Sequence, residues 1–322
     1  MKLTILALDG VFDTGLSVLR DAFSIANDLA AMQAGDAARF DVTVVGLRRD
    51  VRTAHGLRIP VQAAATAPDA DWVVVPALSA KMAEQLLPAL ERPDAIDAMA
   101  SLRAWHAGGS GVAAACVGTF LLAEAGLLDG RAATTSWWLG PLFRERYPQV
   151  RLDESRMVVA SGNVVTAGAA MGHLDLALSL IRQASPDLAA LVARYLLVDA
   201  RPSQAPFIIP DHLARADPLV ERFERWSRTR LAQGFSLDAA ADALATSKRT
   251  LQRRLEAVLG KSPLSYFQDL RVERALHLLR TGHLDIEAIA TEVGYANGAT
   301  LRTLLQQRLG RGVRQLRGDR IG

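Results

Sequence analysis

The chain has 322 residues, half of them hydrophobic, with 37 Lys and Arg against 34 Asp and Glu. That length fits two domains, and the apolar fraction excludes a disordered or low-complexity chain. The single cysteine, Cys116, excludes an internal disulfide framework and any multi-cysteine zinc or iron–sulfur centre. The net charge of +3 is unevenly divided: residues 1–210 carry 18 basic and 21 acidic side chains, whereas residues 211–322 carry 19 and 13. An excess of six positive charges in the last third points to a polyanion as partner.

The opening segment, MKLTILALDGVFDTG, has a short apolar run cut by Asp9, which reads as a buried first strand rather than a signal peptide. No apolar stretch reaches the roughly 20 residues of a bilayer span, so a soluble cytoplasmic protein is expected, with no membrane partner. Strands are predicted at Leu3–Leu8, Phe40–Gly46, Trp72–Val75, Gly111–Ala115, Met157–Ala160 and Val164–Thr166. Several are continuous apolar runs, the pattern of strands buried on both faces. Helices are predicted between them at Leu16–Ala34, Asp94–Ala107, Thr119–Ala125, Trp138–Tyr147 and Gly172–Gln183. This alternation implies an α/β fold with a doubly wound parallel sheet, spanning residues 1–200. Asp199–Pro218 holds Pro202, Pro206, Pro210 and Pro218, too many for one helix or central strand, so residues 201–218 read as a linker.

Residues 219–322 read as an all-α domain containing an internal echo. Leu237, Ala240, Ala241 and Leu244 form an apolar stripe, Ala245 and Thr246 a turn, and Ser247 the cap of a helix Lys248–Val258 lined inside by Leu251, Leu255 and Val258. From Asp285 the pattern recurs: Ile286, Ile289, Ala290 and Val293, a turn at Gly294, an Asn297 cap, then Leu301, Leu304 and Leu305. Ser and Asn caps accept bonds from free helix amides, and glycine suits the left-handed turn. Ser262–Pro263 opens a connecting helix to about Arg280. Two helix-turn-helix units of this kind, set about 34 Å apart, reach successive major-groove turns of double-stranded DNA. Lys248, Arg249, Gln252 and Arg253 point away from the first stripe, and forked Arg–guanine or Gln–adenine contacts are direct readout chemistry. In the second unit Thr300, Arg302, Thr303 and Gln306 are the polar positions, suited more to phosphates and shape.

The segments LGKSPLSYFQDLRVERALHLL and IATEVGYANGATLR, within residues 236–310, resemble the DNA-binding domain of AraC/XylS transcription regulators. The resemblance implies base contacts from Arg249, Gln252 and Arg253, and from around Ala299, Arg302 and Thr303. The chain departs from that family at its close, where Gly310-Arg311-Gly312-Val313-Arg314-Gln315-Leu316-Arg317 lacks the usual Pro and Tyr.

In the first domain, Ser110–Phe120 places Cys116 between an apolar strand and a helix opening at Gly118. Such an elbow exposes its side chain to free helix amides, which favour a thiolate; free cysteine is equally a small buried hydrophobe. CVGTFLLAEAGLLDGRAATTSWW and VVTAGAAMGHLDLAL resemble the ThiJ/PfpI-like domain of the class I glutamine amidotransferase-like superfamily, with a flavodoxin-like sheet. With RPSQAPF in the linker, the chain more narrowly resembles GlxA-type regulators, which join that domain to an AraC-type tail. Hydrolytic relatives have His directly after the cysteine, where this chain has Val117, and many regulator relatives have His where it has Ser136. His173 begins a helix and could approach the elbow, though such a His is more often a polar helix-end residue. Asp13 matches a polar position of regulator relatives, either a ligand contact or a helix cap. Trp137–Trp138 reads as packing or a pocket wall, and His55, His106 and His212 share no metal-ligand spacing.

The expectation is a non-enzymatic DNA-binding transcription regulator. Asp13, Cys116, Val117, Ser136 and His173 line a candidate pocket for a small-molecule effector, and no cofactor or metal is expected. A homodimer is expected, and RNA polymerase is a further partner that the resemblance allows. The rivals are a cysteine-dependent amidase or glyoxalase-like enzyme with a DNA-binding tail, and a redox sensor using Cys116 alone.

Overall fold

The computed structural model describes residues 1–32, 39–66, 69–199, 201–209, 217–309 and 312–318. Pro210, His212, Gly310 and Arg311 lie outside them. The chain divides into two compact units, Met1–Gln204 and Ala205–Gly322. The first unit therefore takes in four residues of the stretch that reads as linker.

In the first unit the chain runs β1 (Lys2–Leu6), α1 (Asp13–Ala31), β2 (Asp41–Gly46), β3 (Asp50–Arg52), β4 (Arg58–Pro60), β5 (Gln62–Ala63) and β6 (Trp72–Val75). It continues with α2 (Ala83–Leu90), α3 (Pro93–Ala107), β7 (Gly111–Ala115), α4 (Gly118–Glu124), β8 (Ala132–Ala133), α5 (Gly140–Arg146) and β9 (Arg151–Leu152). It closes with β10 (Val158–Ser161), β11 (Val164–Ala167), α6 (Gly172–Ala184) and α7 (Pro186–Tyr195). Among the described residues the main sheet has seven strands, ordered β10-β11-β7-β6-β1-β2-β5. Its central strands β1, β6, β7 and β11 bury both faces. Val73 and Val75 point into one core with Leu102, Phe120 and Phe143, while Val74 points into the other with Leu19, Phe23 and Leu180. Helices on both faces of a mainly parallel sheet make the doubly wound layout expected.

The exceptions have local causes. β10 pairs antiparallel to β11 because only Gly162 and Asn163 separate them, and Gly162 (φ +64°) makes the hairpin turn. The helix expected at Trp138–Tyr147 is a 3₁₀ turn, Trp137–Leu139, followed by α5, which restarts at Gly140 with a proline in its first turn. α1 begins at Asp13, ahead of the expected Leu16.

The second unit holds α8 (Pro218–Arg228), α9 (Leu237–Ala243), α10 (Lys248–Leu259), α11 (Pro263–Thr281), α12 (Ile286–Glu292), α13 (Gly298–Leu309) and α14 (Val313–Gly318). Its caps follow the side-chain chemistry of the sequence. Ser236, Ser247, Ser262, Asp285 and Asn297 each accept a bond from the backbone N–H three residues on. Leu251, Leu255 and Leu259 form the buried stripe of α10; Leu259, one helical turn beyond Leu255, takes the inner place expected for Val258, which is half-buried. Leu316 of α14 is buried with Ile289, Val293, Leu301 and Leu305.

Candidate functional site

At the carboxyl end of β7 the backbone of Cys116 turns to φ +56°, a left-handed conformation costly for a side-chain-bearing residue. The turn is held by its surroundings. Cys116 N–H donates to Ala167 O (2.8 Å), and its carbonyl accepts from Thr135 Oγ1 (2.9 Å). Gly118 lies against Pro76 and the Val75 carbonyl so closely that a Cβ there would sit 2.6 Å from Val75 O. This is the strand-to-helix elbow expected, with one correction. The thiol is not exposed: Cys116 is 5% accessible, and its Sγ lies 2.8 Å from Ser136 Oγ. Burial pushes the thiol up from its ordinary value, outweighing the bonds from Ser136 and from Val117 N–H.

His173 is correctly placed near the sheet's carboxyl edge but is already fully engaged. Its Nε2 accepts from Ala77 N–H (3.0 Å), and its Nδ1 donates to Ala170 O (2.6 Å). Burial lowers its pKa to about 4, against the Ala170 bond, so the ring is neutral at pH 7. Gly15 makes room for it, since a Cβ there would come within 2.6 Å of Nε2. With both nitrogens committed to backbone, His173 has none to offer a nucleophile at the elbow and serves as a polar residue at the helix end. Val117 is buried beside the elbow and belongs to the apolar core that includes Phe120 and Leu121.

Asp13 does not cap α1. The capping position is Phe12, and Asp13 is the first helical residue. Its Oδ2 accepts from His55 N–H (3.1 Å) and pairs with His55 Nδ1 (2.9 Å), while its buried Oδ1 meets no donor among the described residues. Burial works to raise its pKa, but bonds from Thr53 and His55 prevail and hold it below the usual carboxylate value. His55, missed as a site residue because it stands alone in sequence, belongs to the β3–β4 hairpin, which sequence reasoning also missed. The hairpin is pinned beside β1 by Gly10 N–H to Arg52 O (2.7 Å) and Arg52 N–H to Asp9 Oδ1 (2.9 Å). Trp138 is half-buried, with its Nε1 donating to Lys81 O (3.0 Å), and His106 lies 3.2 Å from Ser110 O. Among the described residues no three metal-ligating side chains converge, and no helix is long and apolar enough to cross a membrane.

The second unit presents a different surface. On α10, Lys248, Arg249, Gln252 and Arg253 are all exposed, opposite the buried leucines. Lys248 pairs with Asp238 (2.7 Å); Arg249, Gln252 and Arg253 make no ion pair or side-chain hydrogen bond among the described residues. On α13, Ala299, Arg302 and Thr303 are exposed. Glu287 of α12 faces that helix: its Oε2 accepts from Gly298 N–H (2.7 Å), and its Oε1 lies 3.9 Å from Arg302. Thr303 Oγ1 donates to Ala299 O (3.1 Å) of its own helix. Asp238 and Glu287 hold the same place in the echoed pattern, two residues after the caps Ser236 and Asp285. The two turns also correspond, at Ala245 (φ +51°) and Gly294 (φ +80°). Buried Arg271 secures the second turn: its Nε and Nη2 donate to Leu231 O (3.0 and 2.7 Å), and its guanidinium lies 5.0 Å from the Tyr295 ring. Sequence reasoning missed it because a lone Arg in an amphipathic helix reads as solvated.

The pattern of the DJ-1/PfpI family matches residues 1–183, and that of a helix-turn-helix domain matches residues 240–319. The chain is 27% identical over 218 residues to the HTH-type transcriptional regulator ArgR of Pseudomonas aeruginosa, covering 66% of each protein. It is 29% identical over 192 residues to the regulator CdhR of the same organism, and 28% over 191 residues to the regulator GlxA of Rhizobium meliloti. These alignments span 55% and 56% of this chain and 54% and 57% of those proteins. The chain thus spans between about half and two thirds of the length of these curated relatives. Its fold resembles that of a ThiJ/PfpI family protein from Pseudomonas syringae, with a TM-score of 0.52 and 21% identity over 76% of this chain and 90% of that one. The chain belongs to the DJ-1/PfpI family, and a helix-turn-helix domain follows the family's α/β unit.

Proposed function

We propose that the chain is a sequence-specific DNA-binding transcription regulator whose first unit binds a small-molecule effector. The observation that carries this reading is the outer face of α10. Arg249, Gln252 and Arg253 stand together on a capped, well-packed helix with no competing partner among the described residues. Forked Arg–guanine and Gln–adenine contacts need donors that are uncommitted and held by a rigid helix. The three curated relatives described above are named as transcriptional regulators, which supports the same reading.

The effector would enter at the carboxyl edge of the sheet, beside Asp13, Cys116, Val117 and Ser136, where doubly wound folds take ligands. Catalysis is not part of the proposal. A nucleophilic cysteine needs a base within reach and a stabilised thiolate, whereas Cys116 is buried, faces a serine hydroxyl, and His173 is engaged elsewhere. We place the regulator in the cytoplasm as a homodimer.

Selection of bound sequences from a random duplex pool tests the reading. A single enriched motif is expected, with affinity falling linearly in log salt as counterions are released. Enrichment of no motif would overturn it, and turnover of an amide or aldehyde substrate lost in Cys116→Ser would establish the enzyme instead.

A further inference from the structure

The last four residues of the first unit are tied into it, and the tie ends at the cysteine elbow. Arg201 donates to Asp175 Oδ2 (2.5 Å) and to Met171 O (3.1 Å). Pro202 O accepts from Met157 N–H (3.2 Å), Ser203 Oγ donates to Ser155 O (2.7 Å), and Gln204 N–H donates to the same carbonyl (2.7 Å). Gln204, 1% accessible, then inserts its side chain into the unit. Its Nε2 lies 3.1 Å from Thr134 Oγ1, 3.1 Å from Thr135 O and 3.0 Å from Arg156 O. Gly168 makes the insertion feasible, because a Cβ there would overlap the Gln204 amide.

Thr134 and Thr135 belong to the loop that holds the elbow. Thr135 Oγ1 donates to Cys116 O (2.9 Å), and the next residue, Ser136, faces Cys116 Sγ at 2.8 Å. Thr134 N–H donates to Thr166 Oγ1 (2.8 Å) on β11, which anchors the loop on the sheet. Thr134, Thr135, Ser136 and Thr166 are all at most 1% accessible. Buried hydrogen bonds at its two ends, joined by the backbone of the Thr134–Ser136 loop, thus link the Cys116 side chain to Gln204, the last residue before the chain enters the DNA-reading unit. Gln204 Oε1 is buried with no donor among the described residues, so the amide is held through one end only.

We infer that Gln204 is a positioning residue: it fixes the Thr134–Ser136 loop against Cys116 and couples that site to the chain leading into the helix-turn-helix unit. This coupling rests on the regulator reading above. Displacing Ser136 by filling the elbow would strain the Gln204 bonds, and releasing Gln204 would loosen the elbow; coupling of this kind acts in both directions. Its physical basis is a packed polar network in a low dielectric, where losing the Gln204 donor takes one partner each from Thr134 Oγ1, Thr135 O and Arg156 O.

The experiment uses the full chain and iodoacetamide as the probe, since Cys116 is the only thiol. Alkylation by displacement of iodide needs the elbow to open. Gln204→Met keeps the length and removes the donor; it is expected to speed alkylation by roughly tenfold or more, as lost buried hydrogen bonds imply. Gln204→Leu, which also lacks the donor, is expected to do the same and serves if the Met variant does not fold. Ser203→Ala removes a neighbouring bond that does not touch the Thr134–Ser136 loop, and is expected to leave the rate within about twofold. Alkylated chain is expected to bind its selected DNA with affinity altered at least roughly threefold, in the same direction as Gln204→Met. Wild-type alkylation rates in both Gln204 variants, or equal acceleration by Ser203→Ala, would overturn the positioning role. Unaltered DNA affinity after alkylation would overturn the coupling. A chain that selects no DNA sequence would instead overturn the regulator reading, with the alkylation rates still deciding the role of Gln204.

Discussion

Around the elbow the polar side chains are turned inward. Cys116 meets Ser136, Thr135 holds the elbow carbonyl, and His173 gives both ring nitrogens to backbone. On α10 the polar side chains are turned outward: Arg249, Gln252 and Arg253 have no committed partner among the described residues. α13 stands between, with Arg302 near Glu287 and Thr303 bonded to its own helix. The difference teaches which chemistry is ready. A preformed cationic face needs no rearrangement to meet a polyanion, whereas a closed thiol site must open before anything reaches it. A charged group also costs little at the surface of α10, while a charge introduced at the elbow would have to be desolvated.

The largest expected effect tests how closed the elbow side is. Folded His173 takes a proton only near pH 4, whereas the unfolded chain takes it near the usual 6.5. Between those values the unfolded state binds more protons, so stability falls as pH falls. The contribution is present in full above about pH 6.5 and is lost by about pH 4, amounting to about 3 kcal/mol. Urea unfolding of wild type and His173→Gln across this window should show a shallower pH dependence in the variant by that amount. Parallel profiles would mean the ring is more open than its bonds imply.

The outward face is tested by truncation. Arg249→Ala and Arg253→Ala should each weaken binding to the selected sequence by about 1–3 kcal/mol and relax preference at one base pair. Neither should move thermal stability by more than about 0.5 kcal/mol, because no bond within the described residues is lost. Titration of labelled duplexes mutated one position at a time separates this from a phosphate contact, which would weaken all sequences equally.

These contrasts were unequally visible in the sequence. The sheet, the elbow and both helix-turn-helix units follow from apolar periodicity, caps and turn residues, which act locally. Ser185–Pro186 also marks the start of α7, a cap and first-turn proline that was overlooked. Long-range facts were not legible. His173 finds Ala77 across 96 residues, and Gln204 finds Thr134 across 70. The short strands β3, β4, β8 and β9 owe their existence to such contacts rather than to an apolar pattern. Arg271 likewise reads as an exposed helix residue until Leu231 and Tyr295 are placed around it.

The intermediate character of α13 can be separated into charge and hydrogen bonding. Glu287→Gln keeps an oxygen to accept Gly298 N–H but removes the charge facing Arg302, whereas Glu287→Ala removes both. The Ala variant should lose about 1 kcal/mol of stability, typical of a missing helix-terminus acceptor, and the Gln variant a fraction of that. If instead the two lose equally, the ion pair and not the bond to Gly298 orders the start of α13. Chemical denaturation with both variants measured at low and high salt distinguishes the cases, since only the charge is screened.

The smallest effect separates the two turns. Ala245 adopts φ +51° with a Cβ in place, while Gly294 adopts φ +80° where a Cβ would overlap both Leu231 O and the Arg271 guanidinium. The first turn therefore has space but conformational strain, and the second has neither strain nor space. Ala245→Gly relieves the left-handed penalty of roughly 1–2 kcal/mol and gives back part of it as extra freedom of the unfolded chain. A net gain below about 1 kcal/mol is expected from that balance, visible as a raised denaturation midpoint with an unchanged slope. A loss of stability would show that the Ala245 methyl is packed rather than merely tolerated, and the two turns would then be held by the same means.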